Sequence, residues 1–248
     1  MTATRRFEEQ VAIVTGASSG IGAATARALA ADGASVVLAA RSEDRLAELA
    51  DELEREHDAD ALAVPTNVRE ETQVDALIDE TVDAFGGIDV LVNNAGLSRG
   101  SEVEAMSTDE YETIQETNVD GVFYATRAAI PHVRERSGHL IFVGSFAGKY
   151  PRSFNPVYAA SKWWVRGFAK SVAAQVGDAG VGVSVVNPAE VRSEFETTSG
   201  STFAKAFEEG EVTEPEEVAE VIAFAASREG SSVSELDVNR RDKFADNF

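Results

Sequence analysis

Cysteine is absent from the 248 residues of this sequence, which excludes disulfide bonds, thiolate nucleophiles and cysteine-ligated metal sites. A chain without cysteine suits a reducing compartment, and we expect a cytoplasmic protein. The sequence also lacks any run of about 18 apolar residues, so no membrane-spanning helix is predicted. Its opening segment, MTATRRFEEQ, has no apolar core and does not resemble a secretory signal.

Basic residues are scarce in this chain. It has 22 lysines and arginines against 43 aspartates and glutamates, which gives a formal net charge of −21. This balance argues against nucleic acid or an anionic membrane as a partner. The acidic residues are spread along helix-like segments such as 42–56. Such a surface is typical of adaptation to high salt, where screening suppresses self-repulsion, and an ordinary acidic cytosolic protein is the alternative.

Metal-ligand patterns are missing as well. The three histidines, His57, His132 and His139, are scattered along the sequence. No cluster of carboxylates or cysteines stands near them at the spacing that metal sites use. We therefore predict no metal site.

Linkers, internal repeats and breaks in composition are also absent, and apolar runs alternate with helical patterns along the chain. Strands are predicted at 10–15, 34–40, 61–64, 88–93, 139–144, 181–187 and 233–238. Helices are predicted at 21–32, 42–56, 70–85, 108–135, 156–177 and 215–227. This alternation predicts an α/β, doubly wound parallel sheet of about seven strands with helices on both faces. We expect residues 1–248 to form a single domain.

The segment VTGASSGIG, residues 14–22, places three glycines between a strand pattern and a helix pattern. Glycine inside an ordered element usually marks a sharp turn or a close approach of the backbone to a ligand. A strand, a glycine turn and a helix N-terminus together favour phosphate, because free N–H groups and the helix dipole both attract anions. The spacing is G-x-x-x-G-x-G rather than the common G-x-G-x-x-G. A tight turn without a ligand is the alternative interpretation.

Small, polar or turn-forming residues also follow the other predicted strands. In open α/β sheets, ligands bind beyond the carboxyl ends of the strands. The segments at those ends are Gly16–Gly22, Ala40-Arg41, Asn67-Val68, Asn93–Gly96, Ser145 and Asn187-Pro188. We therefore predict one binding site at this edge of the sheet.

The segment YAASK places Tyr158 four residues before Lys162, on one face of a predicted helix. A lysine ammonium near a tyrosine favours the phenolate, which predicts a lowered tyrosine pKa and a general acid–base near neutral pH. An exposed helical pair without function is the alternative. Ser145 ends a preceding strand, where its hydroxyl is expected to meet that of the tyrosine.

Together these segments resemble the classical short-chain dehydrogenases/reductases over about residues 9 to 193. The similar motifs are TGASSGIG at 15–22, NNAG at 93–96, Asn118 in NVDG, Ser145, and Tyr158-x-x-x-Lys162. The resemblance implies a Rossmann-like domain, a nicotinamide cofactor, and hydride transfer between a small-molecule carbonyl and an alcohol. A nicotinamide-binding regulatory or scaffold protein without turnover is the alternative function.

The same resemblance implies roles for individual residues. Tyr158 is expected to act as general acid–base, Ser145 to orient the substrate oxygen, and Lys162 to bind the ribose and the tyrosine. Asn118 is expected to hold a water molecule in a proton relay. The residues expected to bind the cofactor are Gly16, Ser18, Ser19, Gly20, Ile21, Gly22, Arg41, Asn67, Val68, Asn94, Ala95, Gly96, Tyr158, Lys162, Pro188, Val191 and Ser193.

Three regions depart from the pattern of that family, and one of them is the C-terminal segment 231–248, which lacks the frequent Val-Asp-Gly-Gly ending. Asn67 stands where the family commonly has aspartate, and an amide still bonds an adenine edge. Pro188-Ala189 and Ser193 replace the usual Pro-Gly and threonine, so a slightly different backbone is expected there.

The end of the second predicted strand indicates NADP(H) rather than NAD(H). An acidic residue usually stands there when the ribose 2′-hydroxyl is bound. This chain has Ala40 and then Arg41, which removes the carboxylate and supplies a guanidinium for a 2′-phosphate. A solvated arginine at a helix start is the alternative.

Two further expectations concern regions outside the motifs. The irregular segment 193–210 is predicted to be a substrate lid, with Phe195, Phe203 and Phe207 closing over the site; an ordinary surface loop is the alternative. The resemblance also implies a homotetramer that packs through the helices at 108–135 and 156–177.

Overall fold

The structure, a computed structural model, describes residues 5–98, 101–195 and 201–243. In these ranges the strands are β1 (Val11–Thr15), β2 (Ser35–Ala40), β3 (Ala61–Pro65), β4 (Val90–Asn93), β5 (His139–Val143), β6 (Gly182–Pro188) and β7 (Glu235–Val238). The α-helices are α1 (Gly20–Ala31), α2 (Glu43–His57), α3 (Glu71–Phe85), α4 (Thr108–Gln115), α5 (Gly121–Glu135), α6 (Pro156–Val176), α7 (Phe203–Ala206) and α8 (Pro215–Ala226).

The strands run parallel in one sheet, in the order β3-β2-β1-β4-β5-β6-β7. The order reverses between β1 and β4, which pair through Ala12 with Val90 and Val14 with Val92. At such a reversal the connections after the two strands leave toward opposite faces of the sheet, which opens a crevice between them. The topology therefore places the binding site at the carboxyl ends of β1 and β4.

Helices cover both faces of the sheet, so the central strands are buried along their whole length. On one face, Leu29 of α1 and Ile222 of α8 belong to one apolar cluster. On the other face, Leu77 of α3, Val133 of α5 and Val172 of α6 belong to a second. The two clusters hold the strand ends rigidly, which is what a site built from those ends requires.

The predicted strands and helices are confirmed, with boundaries that shift by one or two residues. One difference concerns the predicted helix at 108–135, which is regular only at its two ends. A π-helical turn, Glu116–Asp120, joins α4 to α5. Such a turn inserts an extra residue into the helical repeat and is frequent at functional sites. Hydrophobic periodicity does not reveal it, because the apolar face continues on both sides.

Charged residues anchor β7 to α6. Glu235 accepts hydrogen bonds from Arg166 at 2.6 and 3.2 Å, and Lys170 lies 2.8 Å from the same carboxylate. Burial alone would raise the pKa of Glu235, but the bonds from Arg166 and Lys170 outweigh it and lower the pKa to about 2. Lys149 bonds the neighbouring Asp237 at 2.6 Å. This edge strand is thus held by charge as well as by its backbone pairing with β6.

Candidate active site

The carboxyl ends of the central strands open into one cleft of about 900 Å³. Each predicted strand-end segment contributes to its wall. Of the residues predicted to act in catalysis or cofactor binding, those that line the cleft are Gly16, Ser18, Ser19, Gly20, Ile21, Arg41, Asn67, Val68, Asn94, Ala95, Gly96, Ser145, Tyr158, Lys162, Pro188, Val191 and Ser193. Gly22 and Asn118 do not line the cleft themselves. Gly22 lies against the carbonyl of Gly16, and Asn118 is hydrogen-bonded to Leu97, and both of these neighbours line the cleft.

The glycine turn after β1 has no room for side chains. Gly16 and Gly20 have φ angles of 68° and 53°, which side-chain-bearing residues rarely adopt. A Cβ atom on Gly22 would lie 2.2 Å from the carbonyl oxygen of Gly16, and one on Gly16 would lie 2.9 Å from the Cα of Ala95. The turn therefore brings bare backbone to the N-terminus of α1, whose first amides have no partner within the helix. This is a cradle for an anionic group.

The loop after β4 is bonded directly to this turn. Thr15 donates its hydroxyl to the carbonyl of Val92 at 3.1 Å and accepts from the amides of Asn94 and Ala95 at 3.0 and 3.1 Å. The side chain of Asn94 donates back to the carbonyl of Thr15 at 2.8 Å. Asn94, the second asparagine of the NNAG segment, thus fixes the distance between the two strand ends that form the crevice.

The cleft is basic, although the chain as a whole is strongly acidic. Its charged lining residues are Arg41, Arg45, Arg69, Arg152, Lys162, Glu190 and Glu194. Three of the arginines lie within ion-pair distance of a carboxylate, Arg45 of Glu194 at 2.5 Å, Arg69 of Glu116 and Arg152 of Glu190 at 3.7 Å. Within residues 5–98, 101–195 and 201–243, Arg41 makes no ion pair. A surplus of guanidinium groups in a chain of charge −21 suits an anionic ligand.

Tyr158 and Lys162 lie one helical turn apart in the first half of α6, as their spacing predicts. Burial raises the pKa of Tyr158, while contact with the Ser145 hydroxyl and the charge of Arg152 lower it in part. Ser145 is buried at the end of β5, and its hydroxyl accepts a hydrogen bond from the amide of Ala147 at 3.1 Å. The predicted meeting of the serine and tyrosine side chains is therefore present.

The expected effect of Lys162 on Tyr158 is absent, because the tyrosine pKa is raised rather than lowered. The ammonium of Lys162 instead donates to the carbonyl of Val143 at 2.9 Å. Burial lowers the pKa of this lysine to about 8. The two residues are spaced as predicted, but burial is the largest cause of the pKa shift of each.

Asn118 lies in the π-helical turn and is completely buried. Its amide nitrogen donates to the carbonyl of Leu97 at 2.9 Å and to the hydroxyl of Ser161 at 3.0 Å, and its oxygen accepts from the amide of Leu97 at 2.9 Å. Both of its hydrogens are therefore used by the protein. A Cβ on Gly96 would lie 3.3 Å from the Asn118 oxygen and 3.5 Å from the Lys162 nitrogen. Asn118 thus holds the loop after β4 against Lys162.

The predicted lid falls partly outside the described residues, which omit 196–200. Phe195, Phe203 and Phe207 do line the cleft, as the lid interpretation requires. The rings of Phe203 and Phe207 stack at 5.8 Å, and Phe195 lies 6.2 Å from the ring of Tyr158. Closure over a substrate stays a prediction.

Several lining residues were missed by the sequence analysis: Arg45, Arg152, Phe154, Asn155 and Glu190. They come from irregular segments and a helix start, where no periodic pattern marks a functional side chain. Phe154 and Asn155 stand just before the YAASK segment, which is the one signal that indicates them.

Among the residues that the structure describes, no group of three or more histidine, aspartate or glutamate residues is placed to hold a metal ion. No helix in the described ranges is long and apolar enough to cross a membrane.

Several known proteins are similar to this chain in both sequence and fold. A 3-oxoacyl-[acyl-carrier-protein] reductase of Vibrio cholerae is 35% identical over 234 residues, covering 92% of this chain and 94% of its own. An alcohol dehydrogenase from the archaeon Thermococcus sibiricus, solved with 5-hydroxy-NADP, matches with a TM-score of 0.86 and 28% identity, covering 93% and 96% of the two chains. A 3-ketoacyl-(acyl-carrier-protein) reductase from Brucella melitensis, solved with NADH, matches with a TM-score of 0.84 and 32% identity, covering 94% and 97%.

Other solved relatives hold NADP or NADPH, in agreement with the predicted cofactor. Residues 10–203 match the sequence family described as short chain dehydrogenase, which is most of the chain. The seven-stranded parallel sheet, the glycine turn after β1 and the tyrosine–lysine pair on α6 agree with that match. The chain therefore belongs to the short-chain dehydrogenase family.

Proposed function

We propose that this protein is an NADP(H)-dependent oxidoreductase that interconverts a carbonyl group and a secondary alcohol. The observation that carries the proposal is the meeting of Tyr158, Ser145 and Lys162 in the cleft that the glycine turn also lines. A proton donor, a group to orient the substrate oxygen and an anion cradle thus share one site. The oxidoreductase family of the chain supports this reaction class.

The cleft of about 900 Å³ fits a dinucleotide, because Gly16, Gly20 and Ile21 line it with the N-terminal turn of α1. That turn would hold the pyrophosphate through backbone N–H groups and the helix dipole. Arg41 would pair with a 2′-phosphate through its planar fork of donors. When bound, a nicotinamide cofactor supplies the hydride, for which the protein itself has no source.

Tyr158 supplies the proton for the substrate oxygen. Because burial raises the pKa of Tyr158 despite the opposing effects of Ser145 and Arg152, its phenol stays protonated at neutral pH. The protonated form is the one that donates as a carbonyl oxygen takes on negative charge. Ser145 holds that oxygen beside the phenol, since its hydroxyl already contacts the tyrosine.

Lys162 stabilises the phenolate that remains after proton transfer. Its pKa of about 8 leaves the ammonium mostly charged at neutral pH, although it is buried. A buried cation one helical turn from a phenolate lowers the energy of the charged state far more than it would in water. Its bond to the carbonyl of Val143 keeps the ammonium at this place.

The exchange Tyr158→Phe tests the proposal. Turnover of NADPH with a reactive ketone is expected to fall about 10²- to 10⁴-fold, because a general acid is lost. Thermal unfolding and NADPH binding should stay unchanged, because only the hydroxyl is removed. Steady-state kinetics and fluorescence titration measure both quantities.

Tyr111→Phe is the matched control, because Tyr111 is 47% exposed on α4 and does not line the cleft. It should keep full turnover. A Tyr158→Phe protein with near-normal kcat would contradict the proposal. NADPH binding by the wild type without turnover on any ketone or aldehyde would instead indicate a regulatory or scaffold protein.

We also propose that the protein is a homotetramer, packed through the α4–α5 segment and α6. Supporting it, Trp163 of α6 and Phe123 of α5 are exposed, at 47% and 38%. Trp164 stacks on Phe168 at 4.6 Å, within its own subunit. Neighbouring helix residues point about 100° apart, so one tryptophan of the pair is left on the surface for a partner.

A further inference from the structure

Arg152 lines the cleft from the loop between the 3₁₀ turn Phe146–Gly148 and α6. Its guanidinium carbon lies 5.1 Å from the ring centre of Phe146 and 5.6 Å from that of Phe154. The side chain is 24% exposed. Aromatic rings hold a planar guanidinium by its faces, which leaves the N–H donors at its edge available to a ligand.

The carboxylate nearest to Arg152 is already bound by another cation. Glu190 lies 3.7 Å from Arg152, beyond hydrogen-bond distance, whereas Lys243 donates to Glu190 at 2.5 Å. Within the part of the chain that the structure describes, the Arg152 side chain donates no hydrogen bond. The three groups together carry one net positive charge, and that surplus belongs to Arg152.

This surplus charge lies next to the proton donor. Arg152 and Tyr158 line the same cleft, and the arginine is close enough for its charge to act on the phenol. Phe195 also lines the cleft, and its ring centre lies 6.2 Å from that of Tyr158. Beside Tyr158 the cleft thus combines an apolar wall with one guanidinium that donates no hydrogen bond to any of the described residues.

We propose that Arg152 binds the carboxylate of an oxo acid, whose carbonyl oxygen lies at Tyr158 and Ser145; this rests on the function proposed above. A carboxylate accepts two parallel N–H bonds from a guanidinium, a match that a neutral ketone does not offer. The substrate class is therefore that of short oxo acids and the corresponding hydroxy acids. Neutral carbonyl compounds bind without this contact and react with a higher KM.

Matched pairs of an oxo acid and its methyl ester test this specificity, for example acetoacetate with methyl acetoacetate and levulinate with methyl levulinate. Wild-type kcat/KM should favour the acid. Arg152→Gln should lower kcat/KM for the acid roughly ten- to a hundredfold, mainly through KM, and leave the ester almost unchanged. Arg152→Lys should recover part of the loss, because it restores the charge but not the fork. Ionic strength is kept equal in all assays.

Arg134→Gln is the matched control, since Arg134 lies at the exposed end of α5, outside the cleft. It should leave both kcat/KM values unchanged. A wild type that favours the esters, or an Arg152→Gln protein that loses acid and ester equally, would overturn the proposal. So would a raised KM for NADPH, which would assign Arg152 to the cofactor.

Calorimetric titration of the NADPH complex with butanoate, which has no carbonyl to reduce, separates this proposal from the proposed reaction. Binding to the wild type that weakens roughly tenfold or more in Arg152→Gln supports the carboxylate site even if no ketone is turned over. Equal binding to both proteins, or none to either, shows that Arg152 does not bind carboxylates.

Discussion

Ala40 and Arg41 set the charge of the cleft where β2 ends. Ala40 is buried, and Arg41 makes no ion pair within the described ranges of the chain. We expect Ala40→Asp to shift the preference from NADP(H) toward NAD(H), because a carboxylate there repels a 2′-phosphate and accepts a bond from a 2′-hydroxyl. Arg41→Gln should raise the KM for NADPH roughly ten- to a hundredfold while leaving kcat similar.

Kinetics with both cofactors measure this change for each variant. Arg55→Gln is the control, because Arg55 is a highly exposed arginine farther along α2, outside the cleft. If the wild type prefers NADH, or if Arg41→Gln changes the KM for NADPH and the KM for NADH equally, Arg41 does not bind the 2′-phosphate.

Glu235 shows how a single charge holds an element in place, since it joins the edge strand β7 to α6. Its pKa of about 2, against an ordinary value of 4.5, means that folding favours the ionised form. The stabilisation is complete above about pH 4.5 and is lost as the pH falls toward 2. We expect Glu235→Gln to lower the free energy of unfolding by about 1–3 kcal/mol at pH 7, and by progressively less at lower pH.

Urea unfolding of wild type and variant at pH 7, 5 and 3.5 measures the difference. Glu229→Gln is the control, because Glu229 is an exposed glutamate in the turn before β7. A difference between wild type and Glu235→Gln that does not shrink with falling pH would show that the ion pairs contribute little. Low salt is used, since exposed partners such as Lys170 are screened at high salt.

The α4–α5 segment illustrates a second feature at the scale of elements. Its π-helical turn brings Asn118 to the carbonyl and amide of Leu97, and so ties a helix to the loop after β4. A regular helix would rotate the following residues by one position and change which side chain faces the loop. The turn therefore positions Asn118, while the apolar face of α5 remains on the sheet.

At the scale of the whole molecule, a surface of net charge −21 repels its copies. We expect a tetramer at high salt that dissociates as salt is removed, because repulsion is then unscreened. Multi-angle light scattering measures the mass in about 2 M and about 0.05 M salt, where the Debye length is roughly 2 Å and roughly 14 Å. A monomer at high salt contradicts the tetramer, and assembly that does not depend on salt contradicts the role of charge.

A pair of variants tests the predicted surface of association. Trp163→Glu should prevent assembly at high salt, because it adds a charge to the exposed position of α6. Trp163→Phe should leave assembly intact, because the apolar ring is kept. Assembly of Trp163→Glu at high salt would place the interface elsewhere.

Local patterns were sufficient for the order and type of the main elements. Strand and helix periods, and the glycines at Gly16 and Gly20, depend on neighbouring residues, so a single sequence displays them. The strand-end segments could likewise be predicted to meet, because parallel strands bring their carboxyl ends to one edge. The π-helical turn could not, because an inserted residue leaves the apolar pattern on both sides almost unchanged.

By itself, the sequence determined the alternation of strands and helices, the glycine turn and the catalytic candidates Ser145, Tyr158 and Lys162, since each depends on spacing along the chain. Only the tertiary structure decided the surroundings of those residues. Burial raises the pKa of the tyrosine, and the ammonium of the lysine donates to the carbonyl of Val143. The guanidinium of Arg152 reaches the same cleft from a loop without a periodic pattern. Desolvation and contacts between distant segments exist only once the chain is folded, so spacing alone does not predict them.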